Sequence, residues 1–428
     1  MSGDSLSNRP STDEFSDEQR KELLREVRCQ TNLHWNYRHL KSLPSELLEE
    51  GQHVEQIYLK FNLLMSLPNN LGCLSRLAYC YLNGNDLRSL PDSIGEVASL
   101  QVLDVGNNKL TSLPLTLGRL PSLRSLMAVY NQITCFPKEL CRLQSLSILM
   151  LSGNNLLHLP EAISGLIGLQ GLYVDHNQLR KLPRSIAALP ILTRISCCCN
   201  PLTHLPAVPF ISRPTIFFDN NPEMSYLPFS LLRQLRSGET WNPLVIPTCR
   251  CFQEKVVINN TVLISLSGPV KNDHPHSLVL PSQITTITSS EKGSPVLPSL
   301  RELCLRYIWN EKENSKDDIQ RRKTRKQFFV LTSDFLPLSL CDILEVGPVA
   351  YCDTPSCKMP IFTFASIKVV TVTVTAMMHV KGSVVPAVMY FCCDTCAQQY
   401  SQNIHWMMDE FSVWLCGKLD TACSIELI

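Results

Sequence analysis

The sequence lacks an excess of charge of either sign: 39 Lys and Arg stand against 38 Asp and Glu, a net charge of +1 over 428 residues. That balance excludes the general attraction by which basic chains collect nucleic acid or anionic membrane. Long apolar runs are also missing. The stretch 367–380 comes nearest, and Lys368, three threonines and His379 interrupt it before the roughly 18 residues a membrane helix needs. The N-terminal MSGDSLSNRPSTDEFSDEQ has no apolar core of a secretory signal. There is no phosphate-binding glycine loop, no G-x-S-x-G and no H-E-x-x-H, and the 10 histidines are scattered. Cysteine is the exception, with 19 residues that include Cys197-Cys198-Cys199 and Cys392-Cys393. Adjacent cysteines pair poorly as disulfides and suit a reducing compartment. The expectation is a soluble, cytoplasmic, non-enzymatic chain with no membrane or nucleic-acid partner.

What is present is a period. Asn62, Asn85, Asn108, Asn131, Asn154, Asn177 and Asn200 recur every 23 residues, and Pro68, Pro91, Pro114, Pro137, Pro160, Pro183 and Pro206 keep the same step. Between them runs L-x-x-L-x-L-x-x-N-x-L-x-x-L-P-x-x-I/L-x-x-L, the leucine-rich repeat. Each repeat is one coil with a short strand whose leucines stack on those of neighbouring coils, because no coil can bury that face alone. The asparagine amide is expected to bond backbone groups of its own coil and the next, which would otherwise be buried and unpaired. The Leu-Pro step sets an extended bend before the convex-side turn.

The fold expected is therefore an α/β leucine-rich-repeat solenoid, a curved parallel sheet of 23-residue repeats, followed by a mixed α+β cysteine-rich module. Residues 1–32 form a disordered N-terminus and a capping helix, with Ser16 opening a capping box and Leu23, Leu24 and Val27 at helical spacing. The solenoid spans 33–236. Its first coil, WNYRHLKSLPSELL, is degenerate, with Arg38 in the asparagine position. Its eighth, 213–228, brings Asn221 to that position after a step of 21. The module follows over 237–396, and 397–428 is a tail of unassigned structure.

The outward strand positions face the concave side, where such solenoids take partners. They read Tyr58, Tyr81, Asp104, Met127, Met150, Tyr173, Ser196 and Phe217, with Tyr79, Tyr130 and Asp175 among their neighbours. Tyrosine and methionine favour protein recognition. Packing of these side chains on one another is the plainer alternative. Cys80 and Cys197 fall in inward leucine slots and read as core.

Beyond Arg236 the period stops and β-branched residues gather in EKVVINNTVLISL and QITTITSS. Two close cysteine pairs, Cys352-x4-Cys357 and Cys393-x2-Cys396, flank the strand-like 361–375. Cys352, Cys357, Cys393 and Cys396 could hold one structural zinc with four thiolates, with Cys392 open as the alternative to Cys393. Reduced core cysteines are the other reading. Cys249, Cys251, His274 and His276 form a weaker cluster. The charged stretch 310–327 reads as a disordered insertion, and its basic run 321–326 as a solvated loop or a nuclear signal.

The segment PSLRELCLRYI puts Leu300, Cys304 and Ile308 on one helix face. It resembles the BC-box by which SOCS-box proteins dock on elongin C, and LPLSLCDIL resembles the cullin-selecting segment that follows in that family. The resemblance implies Leu300, Cys304 and Ile308 as elongin-docking residues, Leu336, Pro337 and Leu340 as cullin-selecting residues, and elongin B/C with a cullin as partners. As far as Cys396, the order NYRHLKSLPSELL, FDNN, PSLRELCLR, LPLSLCDIL, CKMPIFT and YFCCDTC resembles a family of vertebrate leucine-rich-repeat-containing proteins. That implies an intracellular, non-enzymatic protein. Two functions follow as expectations: a ubiquitin-ligase substrate receptor, or a signalling scaffold of the Ras-binding leucine-rich-repeat kind. A redox sensor built on the cysteines is a remoter third.

Overall fold

The computed structural model describes residues 17–218, 220–224, 226–232, 242–245, 252–258, 261–266, 277–280, 283–284, 286–288, 298–319, 343–344, 347–354, 356–375 and 383–402. The chain divides into two compact units, Met1–Leu202 with Phe210–Glu223, and Thr203–Pro209 with Met224–Ile428.

In the first unit, nine three-residue strands form one parallel sheet in chain order: β1 (Asn32–His34), β2 (Gln56–Tyr58), β3 (Tyr79–Tyr81), β4 (Val102–Asp104), β5 (Ser125–Met127), β6 (Ile148–Met150), β7 (Gly171–Tyr173), β8 (Arg194–Ser196) and β9 (Thr215–Phe217). The middle residue of each strand points into the core. Ile57, Leu103, Leu126, Leu149, Leu172 and Ile195 are all buried there, each stabilising the stack by about 1.5–3 kcal/mol. Cys80 fills the same slot in β3, and burial lifts its thiol to about 12. Cys197, in the next inward slot after β8, is also fully buried. Both are core residues.

The prolines act as their chemistry requires. Pro91, Pro114, Pro137, Pro160 and Pro183 sit extended, at φ between −62° and −70°, immediately before five-residue 3-10 turns. Each accepts the first turn bond on its carbonyl, as Leu117 N donates to Pro114 O at 3.2 Å.

The asparagine row is continuous. Asn108 Nδ2 donates to Val105 O in its own coil and to Leu82 O in the preceding coil, while Oδ1 accepts the Leu87 amide. The second coil served is thus the preceding one, not the next. Asn221, after the short step, repeats the pattern with Cys197 O, Phe218 O and Leu202 N.

The open end of the first coil is covered by α1 (Asp17–Cys29), which buries Leu23 and Val27 and leaves Leu24 half-buried. Its Glu26 accepts the Trp35 indole N–H at 2.6 Å and the Arg38 guanidinium at 2.8 Å, so the residue standing in the first ladder position is tied to the cap. In that coil a short helix, α2 (Glu46–Glu50), precedes the 3-10 turn Gly51–His53. Ser16 lies outside the described residues.

The second unit starts upstream of the expected boundary at 236. Tyr226 to Leu232 belong to it: β10 (Leu227–Pro228) pairs with a strand near the C-terminus, and α3 (Phe229–Leu232) follows. Thr203–Pro209 also joins this unit, because Ala207 bridges Ala350 and accepts from Ser230 Oγ. The repeat unit thus ends at Glu223, before 236.

Its described sheets are built from β11 (Asn242–Val245), β12 (Phe252–Ile258), β13 (Thr261–Leu266), β14 (Ser277–Leu280), β15 (Thr286–Thr288), β16 (Ala350–Tyr351), β17 (Pro360–Ile361), β18 (Phe364–Thr375) and β19 (Ser383–Phe391). One sheet has the order β10-β19-β18-β11, with β15 beside β18; β12-β13-β14 and β16-β17 are separate. Among the described residues the unit also holds helices α4 (Leu300–Ile319) and α5 (Asp394–Gln402). Two expectations need correction here. Helix α4 continues through 310–319, where the charge run predicts a disordered insertion. Helix α5 crosses the boundary at 396 and buries Ala397, so the module extends into the segment read as tail. The rest of 310–327, the basic run 321–326 and residues 403–428 lie outside the described residues.

Among the described residues, no helix is long and apolar enough to cross a membrane.

Candidate functional site

Parallel pairing without register shift lines up one residue per coil. The last strand residues form a single row: His34, Tyr58, Tyr81, Asp104, Met127, Met150, Tyr173, Ser196 and Phe217, each the direct neighbour of the next. The residues proposed from the sequence for this face are therefore brought together, with His34 added at one end. Tyr79 lies in a parallel row two residues earlier in each strand, between Gln56 and Val102.

The aromatic end of the row is stacked. His34 and Tyr58 rings lie 4.7 Å apart and Tyr58 and Tyr81 4.9 Å apart, both pairs nearly parallel. Lys60 Nζ sits 4.7 Å over the Tyr81 ring and 4.0 Å from Asp104, which is buried and accepts the Gly106 amide. Further along, Asp175 ties three coils by accepting Ser152 Oγ at 3.1 Å, Ser196 Oγ at 2.6 Å and the Cys198 amide at 2.8 Å. The Arg194 guanidinium lies 5.7 Å from the Phe217 ring. Tyr58, Tyr81, Met127, Met150, Tyr173 and Phe217 are neither buried nor fully exposed. The self-packing reading holds in part for the stacked rings, whose edges remain accessible.

A second row was missed. The residue before each ladder position takes a left-handed backbone: Tyr37, Phe61, Gly84, Asn107, Tyr130, Gly153, His176, Cys199 and Asn220 all have φ between 49° and 73°. Glycine and asparagine adopt this readily; bulky side chains do so at a cost. Yet Tyr37, Phe61 and Tyr130 occupy it while 67%, 48% and 60% exposed. Tyr37 stacks on Phe61 at 5.0 Å. Phe61 lies over the bare backbone of Gly84, and Tyr130 over that of Gly153. The glycines and asparagines immediately before ladder positions were the available signal. Tyr130 thus belongs to this rim and not to the strand row.

In the second unit, the sulfur atoms of Cys352, Cys357, Cys392 and Cys396 lie within 4.8 Å of one another. The first two are carried by the turn between β16 and β17, where Cys352 N donates to Met359 O and Cys357 N to Thr354 O. The others follow β19 and open α5, one helical turn apart. The Sγ separations include 3.5 Å for Cys357–Cys392 and 3.6 Å for Cys392–Cys396. Four thiolates around zinc at about 2.3 Å would stand about 3.8 Å apart, so the tetrad matches a closed tetrahedral site.

The fourth ligand candidate is thus Cys392, correcting the choice of Cys393. Tyr390 N donates to Asp353 Oδ2, next to Cys352, which holds the end of β19 beside the Cys352 turn. Cys393 stands beside the tetrad with its sulfur 3.8 Å from Cys392. Hydrogen bonding with Cys392 lowers the Cys352 thiol, while the same contact and burial push Cys392 up. Burial pushes Cys396 up to about 12. A metal would displace the remaining protons, as thiolate ligation requires.

Helix α4 divides differently from the expectation. Ile308 packs with Trp309 and Ile343 against the buried Leu305, Leu344 and Phe362. Leu305, Ile308 and Trp309 fall at i, i+3 and i+4, which makes them the inward stripe. Cys304 is exposed, with Leu303 48% and Tyr307 68% exposed. Ile308 therefore does not share a free face with Cys304. Leu300 opens the helix. Leu336, Pro337 and Leu340, and Cys249, Cys251, His274 and His276, lie outside the described residues.

Residues 77–133 match the family model for the leucine rich repeat. No curated protein matches the chain. Among solved structures, a leucine-rich-repeat protein of Leptospira interrogans is 26% identical, the alignment covering 50% of this chain and 60% of that one with a TM-score of 0.44. The plant peptide hormone receptor RGFR1, solved in complex with RGF2, is 25% identical over 39% of this chain and 31% of that one, with a TM-score of 0.33. The chain thus spans less than two thirds of either structure. With the matched repeats, nine in-register parallel strands and an unbroken asparagine row, the chain has the leucine-rich-repeat fold.

Proposed function

We propose that the protein is a non-enzymatic interaction protein whose sheet face, along the row from His34 to Phe217, binds a segment of a partner protein. The observation that carries this reading is the row itself: tyrosine, methionine and phenylalanine in register on an outward strand face. Such side chains supply most contact energy in protein interfaces. Proximity labelling in cells with the full chain tests it. The double variant Tyr58→Ala, Tyr81→Ala should lose its specific neighbours about tenfold while its melting curve and far-UV spectrum stay those of a folded repeat array. An unchanged set of neighbours sinks the proposal.

In this reading the second unit is held together by one zinc ion on Cys352, Cys357, Cys392 and Cys396. Four thiolates leave no open position, so the ion would serve structure. Elemental analysis of the purified chain should return about one zinc per molecule.

A narrower version makes the protein the substrate receptor of an elongin–cullin ubiquitin ligase. The exposed Cys304 on α4 favours it, while the inward Ile308 leaves that docking to Leu300 and Cys304. Leu300→Ala with Cys304→Ala should then abolish recovery of elongin C. Recovery of small GTPases without cullins would favour a signalling scaffold instead.

A further inference from the structure

We infer that Glu302 and Arg306 of α4 form the outer layer of the metal site, so that filling the tetrad and seating this helix are one cooperative event. The inference rests on the zinc reading above.

Both side chains are buried, at 0% and 7% exposure, and they pair with each other at 2.8 Å. A buried ion pair is costly unless its remaining hydrogen-bonding capacity is used. Here it is used on two separate segments. Glu302 Oε1 accepts the Phe362 amide at 2.9 Å, and Oε2 accepts the Thr363 amide at 2.7 Å and its hydroxyl at 2.9 Å. Arg306 Nη2 donates to Phe364 O at 3.3 Å, and Nη1 donates to Cys392 O at 3.1 Å.

Phe362–Phe364 continue the β16–β17 hairpin that carries Cys352 and Cys357. Cys392 is itself a member of the tetrad. Two side chains one helical turn apart therefore clamp the two cysteine-bearing segments together. A metal would clamp the same segments a second time, through their sulfurs.

Two clamps on one pair of segments share the entropy of ordering them, so whichever closes first makes the other easier. The coupling is reciprocal by necessity. Arg306 touches the backbone of Cys392 and no sulfur, so it acts by positioning. The apolar contacts of Leu305 and Trp309 with Phe362 and Leu344 seat the helix too. With the helix seated, Leu303, Cys304 and Tyr307 are turned outward.

The full chain should be compared as wild type, Arg306→Lys, Glu302→Gln and the surface control Tyr307→Ala. Zinc affinity is read by competition with a chromogenic chelator, and amide hydrogen exchange over 300–310 in zinc-loaded and stripped protein. Arg306→Lys and Glu302→Gln should bind zinc about 10–100-fold more weakly, as loss of outer-layer partners does elsewhere. The control should match wild type. Stripping zinc from the wild type should accelerate exchange in α4. Wild-type affinity in both variants, or exchange unmoved by stripping, overturns the inference. If the variants fold poorly, the wild-type exchange result decides alone. A wild type that takes up no zinc overturns the zinc reading itself, whereas zinc uptake with unmoved exchange overturns only the coupling.

Discussion

Asn131 reaches back one coil, its Nδ2 donating to Val105 O at 2.9 Å while its Oδ1 accepts the Leu110 amide at 2.9 Å. Both backbone groups are buried and belong to the preceding repeat. Replacing Asn131 by leucine would leave the Leu110 amide without this partner, at about 1–3 kcal/mol, and Val105 O with Asn108 Nδ2 in its own coil. Urea denaturation should show Asn131→Leu losing about 1–3 kcal/mol. Asn131→Asp should lose a comparable amount, because a carboxylate cannot donate to Val105 O. A loss below about 1 kcal/mol would mean the row is not what locks the coils.

Tyr130 holds a left-handed backbone, φ 52°, while most of its ring faces solvent. That conformation costs an L-residue about 1–2 kcal/mol, and asparagine tolerates it best among side chains of this size or smaller that carry a Cβ. Tyr130→Asn should leave stability unchanged or raise it by about 1 kcal/mol, and should weaken partner capture. A destabilised variant that still captures partners would make the ring a cover for Gly153 and nothing more.

Cys392 and Cys393 can be told apart by metal content. Cys392→Ser should reduce bound zinc well below one equivalent and lower the melting temperature of the second unit. Cys393→Ser should retain the full equivalent. The reverse pattern would exclude the tetrad geometry.

Tyr226 and Tyr390 share a hydroxyl–hydroxyl bond of 2.8 Å, and burial holds both well above the ordinary tyrosine range. The folded state therefore keeps its protons where the unfolded chain, titrating near pH 10, gives them up. The resulting stabilisation is fully present below about pH 10 and is lost as pH rises through the higher folded values. Near-UV circular dichroism during an alkaline titration should show the second unit opening above about pH 10. The double variant Tyr226→Phe, Tyr390→Phe should flatten that dependence.

The repeats were legible because every coil repeats the same physical problem. Asn62 to Asn200 and Pro68 to Pro206 each solve it at the same position, so periodicity alone exposes strand, turn and ladder. The second unit solves each problem once. Whether Ile308 or Cys304 faces inward depends on where Phe362 and Leu344 lie, and nothing local to PSLRELCLRYI records that. The i, i+4 spacing of Glu302 and Arg306 is visible in the sequence, but on its own it reads as a surface pair; only Thr363 and Cys392, brought in from far along the chain, make it buried. Similarly, 310–319 looks like a solvated charge run, yet the helix begun at Leu300 carries through it. The end of the solenoid is hidden because Leu227 and Pro228 repeat the Leu-Pro step of the coils while pairing with β19.

Nine strands set side by side at about 4.8 Å give the sheet a span of about 38 Å between its outer members. An unfolded segment laid crosswise, advancing about 3.4 Å per residue, needs about eleven residues to meet every coil. A folded domain would instead press on a handful of adjacent coils. Counting how many successive tyrosine, methionine and phenylalanine positions tolerate alanine would therefore report the physical form in which the partner arrives, before its identity is known.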